Sequence, residues 1–157
     1  MRTLITQPFT LQEVTTLRHA VARHASASGL AGARLEDFVL AVHESVVNAV
    51  EHGGGYGHLK LWTSGGMLRA ETADHGSGIP HGYVNGHRLP SDMAFTGRGI
   101  YLIRRLCDGV DFRTGPGGTV VQITMRLPRH QLRHVSPMKR VRVAVSGLHR
   151  HMNHFTA

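Results

Sequence analysis

The sequence predicts an α+β fold, a two-layer sandwich in which helices cover one face of a mixed, mostly antiparallel sheet. Three observations predict it. Two stretches with helical apolar spacing occupy the first third of the chain, alternating segments follow as two glycine-turned pairs, and a long glycine-rich interval separates those pairs. With 157 residues, 41% of them apolar and 18% charged, the chain has the length and composition of one globular domain.

Each element has a local reason. Leu4 to Phe9 reads as a short strand, and Thr10 as the N-cap of a helix from about Leu11 to His24, where Leu17, Ala20, Val21 and His24 fall on related faces. Gly29 ends that helix. A second helix is predicted from about Ala33 to His52, because Leu35, Phe38, Val42, Val46 and Ala49 recur at helical spacing and Gly53-Gly54-Gly55 stops it. His58–Thr63 and Met67–Thr72 alternate on either side of Gly65-Gly66, the pattern of a β-hairpin. From Asp74 to Gly99 the chain is rich in Gly, His, Pro and Ser without sustained periodicity, and an interval of that length is functional or disordered in most compact domains. Ile100–Cys107 then reads as a helix, with Gly109–Arg113 and Thr119–Leu127 as strands joined by Gly115-Pro116-Gly117-Gly118.

Composition narrows the function classes. No apolar run reaches the length of a membrane span, and the first residues lack the apolar stretch of a signal peptide, so the expectation is a cytoplasmic protein without membrane contact. The single cysteine, Cys107, has no internal disulfide partner and reads as a buried free thiol. A net charge of +8 raises nucleic acid as a partner, but the charge is uneven. From Pro128 onward there are six Lys/Arg residues and no acidic one, leaving twelve basic against ten acidic residues before it. Residues 1–127 are therefore read as the folded domain and 128–157 as a basic, His-rich extension, solvated or in contact with an acidic partner; direct nucleic-acid binding is not expected. The scattered histidines of that extension lack zinc-finger spacing.

Three segments carry possible chemistry. Glu44, Asn48 and Glu51 are spaced by four and three residues, so they form one polar stripe of the second helix, roughly opposite its apolar stripe. Alone, the stripe equally describes a solvated face. His43-Glu44 does not continue into a zinc-protease helix, because Val47 stands where the second histidine belongs. Asp74-His75-Gly76-Ser77-Gly78 places a carboxylate at a strand end before alternate glycines, which holds an acceptor toward an amino group while bare backbone admits a flat ring; a capped turn has the same sequence. Thr96-Gly97-Arg98-Gly99 leads into a helix, where free N–H groups and the helix dipole favour an anion, although no Gly-Lys-Ser/Thr makes it a P-loop.

In this order the three segments resemble the ATP-binding superfamily of histidine-kinase catalytic domains, gyrase, MutL and a heat-shock chaperone, with its Bergerat fold. Glu44–His52 is similar to its Asn-bearing helix, Asp74–Gly78 to its first glycine box, Gly97–Gly99 to its second, and Gly118-Thr119 to the pair opening its last strand. The Glu-Ser-Val-Val-Asn-Ala-Val-Glu-His form most resembles the anti-sigma factor serine-protein kinases. That resemblance implies ATP and Mg²⁺ as cofactors, Asn48 as the Mg²⁺ ligand and Asp74 as the acceptor for the adenine amino group. Thr119 would reach the same ring edge, Gly76 and Gly78 would admit the base, and Gly97, Arg98 and Gly99 would lie by the phosphates. Glu44 would be the general base. It implies as partners a sigma factor and an anti-sigma factor antagonist, with a homodimer as the assembly, and 79–96 as a lid over the nucleotide.

Overall fold

A computed structural model describes residues 1–84 and 95–129, the side chains of 81 and 95–97 excepted. Five strands, β1 (Arg2–Thr10), β2 (Tyr56–Ser64), β3 (Met67–Asp74), β4 (Gly109–Gly115) and β5 (Gly118–Arg126), form one sheet in the order β1-β2-β3-β5-β4. The α+β expectation holds, with one refinement: each of the four pairings is antiparallel, so the sheet is not mixed among the described residues.

The helices are α1 (Val14–Ala27), α2 (Gly32–His52), the single turn α3 (His81–Val84) and α4 (Phe95–Leu106). Thr10 caps as its sequence predicts, though a 3₁₀ turn, Leu11–Glu13, intervenes before α1. Its hydroxyl accepts from the Gln12 N–H, and the Glu13 carboxylate accepts from the Thr10 N–H at 2.7 Å, closing a capping box. Two N–H groups that the helix cannot satisfy internally are thereby paired.

Alternation along the strands decides which face is covered. Leu59 and Leu61 of β2, Leu68 and Ala70 of β3, and Val121, Ile123 and Met125 of β5 are buried, and their registers place them on one face in contiguous rows. That face meets Phe38, Val42, Val46 and Ala49 of α2 and Leu17 and Val21 of α1, within one continuous core. Burying side chains of this size stabilises by about 1.5–3 kcal/mol each before chain entropy is charged against it. The opposite face carries His58, Lys60, Arg69 and Glu71, with Trp62 covered by the Lys60 ammonium 5.2 Å from its ring.

Two expectations are corrected. The last helix starts at Phe95 and not at Ile100, so the second glycine box lies inside its first turns. Cys107 is only partly buried, although burial still pushes its thiol up to about 12, which keeps it protonated and inert at neutral pH. Most of the segment read as a lid, residues 85–94, and the extension beyond 129 lie outside the described residues.

Candidate functional site

The site is organised by α2, and each glycine box is seated on it at a different height. Gly76 packs against its C-terminal end so closely that a Cβ there would stand 2.6 Å from Gly53 Cα and 2.7 Å from the His52 carbonyl oxygen. Backbone on both sides cannot yield, so only glycine fits. Gly99 sits further back on the helix, where a Cβ would come within 3.1 Å of Asn48 Nδ2 and 3.2 Å of Glu44 Oε2. The two contacts are separated by roughly 6–14 Å of helix, at 1.5 Å rise per residue.

The polar stripe is therefore covered at Glu44 and Asn48, while Glu51 stays exposed. Glu44 and Asn48 are half-buried beneath α4, and with Glu51, Arg98, Gly99 and Leu102 they line a cleft of about 450 Å³. Arg98 itself is exposed at the rim. Gly97 lies within the first turn of α4, among the four residues whose N–H groups have no partner inside the helix. A larger cleft, of about 510 Å³, lies among Met1, Ala27, Gly65 and Leu127 and contains none of the predicted site residues.

The first glycine box is held by its own aspartate. Asp74 Oδ1 accepts from the Gly76 N–H and from the Thr119 N–H, both at 3.0 Å. These bonds join the end of β3 to the start of β5 and fix the carboxylate; both fall on one oxygen, which leaves Oδ2 as an acceptor. Gly57 pairs with Phe9 on one side and with Asp74 on the other, and Thr119 pairs with Thr114. Phe9, Gly57 and Asp74 thus make a transverse row across β1, β2 and β3, Thr114 and Thr119 pair across β4 and β5, and the Asp74 carboxylate joins the two through the Thr119 N–H. Gly57 is small for a reason, since a Cβ there would stand 2.6 Å from Phe9 Cζ. Gly78, with φ +88, turns the chain toward the β4–β5 hairpin, where a Cβ would approach the Gly115 carbonyl oxygen to 2.5 Å.

Burial, then the nearby Arg18, holds the His43 imidazole below its usual range against the opposing pull of Glu44. His43 is therefore a neutral neighbour of Glu44 at physiological pH rather than its counter-charge.

Among the described residues no group of three or more His, Cys, Asp or Glu converges as a metal site. The donors present fit a hard cation held by one amide oxygen and otherwise by phosphate and water, because Asn48 and Glu44 place oxygen atoms together at the N-terminal turns of α4. Asp74 with its second oxygen open, beside glycine backbone, fits the amino edge of a planar base.

Sequence reasoning placed Glu44, Asn48, Arg98 and Gly99 in one region and Asp74, Gly76, Gly78 and Thr119 in another, and the structure brings the members of each together. It missed Gly53, read only as a helix stop, and Thr114, left outside the strand before the turn. The register Thr114↔Thr119 is the signal that finds the second.

Residues 7–125 match the family described as Histidine kinase-like ATPase domain. Among solved structures, the chain is similar to the RsbU and RsbW domains of Rv1364c from Mycobacterium tuberculosis, with 23% identity and a TM-score of 0.56 over 78% of this chain and 32% of that one. It thus spans about a third of that chain's length. It is also similar to the catalytic domain of histidine kinase ThkA, with 14% identity and a TM-score of 0.51 over 78% of this chain and 95% of that one. At these identities the likenesses speak for the fold. A search of curated proteins finds no match. No helix among the described residues is long and apolar enough to cross a membrane.

Proposed function

The chain belongs to the histidine kinase-like ATPase domain family, and from that we propose that it is a cytoplasmic ATP-binding anti-sigma factor with serine/threonine-protein kinase activity. In this reading it binds a sigma factor and phosphorylates an anti-sigma factor antagonist, so that nucleotide state regulates transcription. The observation that carries it is the shared seat of Glu44 and Asn48 against Gly99, at the N-terminal turns of α4 and one to two helical turns from the Asp74 pocket. A histidine-kinase-like domain needs a base site and a phosphate site; the serine-kinase reading needs in addition a carboxylate facing the phosphate site, and Glu44 is that carboxylate.

Bound Mg²⁺-ATP supplies the phosphoryl group and neutralises part of its charge. Asp74 and Thr119 orient the base, Gly76 and Gly78 leave room for it, and Asn48 gives its side-chain oxygen to the metal. Gly97, Arg98 and Gly99 lie by the phosphates, where the first N–H groups of α4, which have no partner inside the helix, favour negative charge. Glu44 would accept the proton of the attacking serine hydroxyl as the serine oxygen bonds to the γ-phosphorus and the bond from that phosphorus to the bridging oxygen breaks, releasing ADP.

A second reading has one feature in its favour. Glu44 Oε2 lies directly under α4, where a carboxylate also suits a purely structural contact; the protein would then bind partners according to nucleotide without transferring phosphate. Single-turnover transfer from labelled ATP to a serine-bearing antagonist separates the two. A general base contributes roughly 10²–10⁴-fold to rate, so Glu44→Gln is expected to lose that much transfer with ATP affinity nearly unchanged. Equal rates for wild type and variant remove Glu44 from the chemistry, and no transfer by the wild type favours the regulator.

A further inference from the structure

α4 runs antiparallel to α2. Gly99, near the start of α4, meets Asn48 and Glu44, whereas Asp108, just past its end, is bonded at 2.5 Å by Arg34 near the start of α2. Between those joints, Leu102 stands one turn beyond Gly99 and Leu40 one turn before Glu44, and both are half-buried side chains that line the same cleft. Asp37, also half-buried, lies one turn further along the stripe. It faces the end of α4, since its charge, after burial and Asp108, helps to hold the proton of Cys107. Among the described residues Asp37 enters no ion pair, and its neighbour Arg34 is already bonded to Asp108.

Order along α2 gives the cleft a direction. The first glycine box meets the helix end at Gly53, Gly99 meets the helix at Asn48 and Glu44, and Leu40 and Asp37 follow. A nucleotide with its base at the first of these and its phosphates at the second has its terminal phosphorus turned toward Glu44. Phosphoryl transfer sets the attacking and leaving oxygens roughly in line, so the acceptor hydroxyl arrives from the side of Leu40 and Leu102. Its oxygen bonds to the γ-phosphorus, its proton passes to Glu44, and the bridging oxygen leaves on ADP.

We propose that Leu40, Leu102 and Asp37 form the subsite for the acceptor segment. That segment is an extended stretch with a serine at Glu44, an apolar side chain two residues from the serine, and a lysine or arginine four residues from it. This rests on the kinase reading given above and names its substrate class. Helix rise puts Leu40 roughly 6 Å and Asp37 roughly 10 Å from Glu44. In an extended chain, residues two apart face the same side and lie roughly 7 Å apart, which matches the first interval. The residue four away lies roughly 13 Å out, and a long cationic side chain reaches back over the difference. The leucines supply the apolar contact and the Asp37 carboxylate the opposite charge, so an acidic residue in the same place is repelled.

The test uses the full chain, labelled Mg²⁺-ATP and synthetic peptides with one serine in an alanine-glycine background. The peptides carry leucine or asparagine two residues from the serine and lysine or glutamate four residues from it, before the serine in one series and after it in the other. In one series, the leucine-lysine peptide is expected to have a KM roughly tenfold below that of its asparagine counterpart. It should also lie roughly two- to fivefold below its glutamate counterpart at low salt. Asp37→Lys is expected to invert the second preference, from lysine to glutamate, which a merely structural aspartate would not do. Leu40→Asn is expected to lose the first preference and Leu40→Met to keep it; if the asparagine variant fails to fold, the Asp37 reversal decides. Equal transfer to all peptides, or a lysine preference that survives Asp37→Lys, overturns the inference and leaves the kinase reading standing. A wild type that binds Mg²⁺-ATP but transfers to no peptide also overturns it, and one that binds no ATP removes the nucleotide site and this inference together.

Discussion

Asp74 is fixed by one carboxylate oxygen, which leaves the other open. Its two backbone bonds, to Gly76 and Thr119, both end on Oδ1. Asparagine at this position keeps an oxygen for those N–H groups and replaces only Oδ2, turning the acceptor proposed to face the base into a donor. Asp74→Asn is therefore expected to leave the β3–β5 junction intact and to weaken ATP binding by roughly 1–3 kcal/mol, the cost of opposing two donors in a sheltered site. Calorimetry with a parallel thermal melt checks it. Wild-type affinity in a fully folded variant would reject the base-site assignment. The sequence offered Asp74 as either a capped turn or a base contact. The structure shows the capped turn, and the oxygen that caps it leaves the other one for the proposed base contact.

Between elements, the clearest joint is the one that ties the start of α2 to the ends of α4 and β5. Arg34 Nη2 reaches Asp108 Oδ2 at 2.5 Å and the Arg126 carbonyl at 3.2 Å, while the Arg126 N–H donates to Asp108 at 2.6 Å. The Arg34 guanidinium, and after it the Arg126 N–H, hold the Asp108 carboxyl below its ordinary range. A depressed folded value means that the carboxylate's stabilisation is present above its unfolded value, about 3.9, and is lost as pH falls through the folded value. Both side chains are substantially exposed, 48% and 40%, so water screens the pair and its contribution is about 1 kcal/mol or less. Asp108→Asn is expected to lower stability slightly near neutral pH, and the gap to wild type should close as the pH drops below about 4. Denaturant melts across that range read it directly. A gap of constant size in acid would show that the charge on Asp108 plays no part in the joint.

At the scale of the whole molecule, the last strand among the described residues ends at Arg126, and the Leu127 N–H is bonded to the Gly66 carbonyl at 2.9 Å. We propose that residues 1–127 are a self-sufficient nucleotide-binding domain and that 128–157 are a basic extension. The proposal has an electrostatic consequence. Removing residues 130–157 takes away five basic side chains and no acidic one, so a chain ending at Arg129 should bind Mg²⁺-ATP as the full chain does while losing part of any salt-sensitive attraction to an acidic partner. Calorimetry on the two chains at low and moderate salt tests both halves. A tenfold loss of ATP affinity on truncation would place the extension in the site.

Much of this was legible before any coordinates. Helical spacing of Phe38, Val42, Val46 and Ala49 predicts α2 within a residue of its start, because an apolar stripe of that width has no other stable use, and Thr10 and Glu13 carry their cap in the sequence. Glu44, Asn48, Asp74 and the paired glycines could be singled out because local chemistry restricts which residues suit those turns and helix faces. What sequence left open was contact across distance. Whether Glu44 and Asn48 face water or a ligand cleft depended on α4 packing back over α2, which no spacing within α2 encodes. The start of α4 at Phe95 was hidden because glycines read locally as loop, and packing on α2 outweighs a helix penalty of about 1 kcal/mol per glycine. Thr114 was invisible for the same reason. Its place comes from strand register, which pairs it with Thr119, whose N–H in turn reaches Asp74 forty-five residues back in the chain.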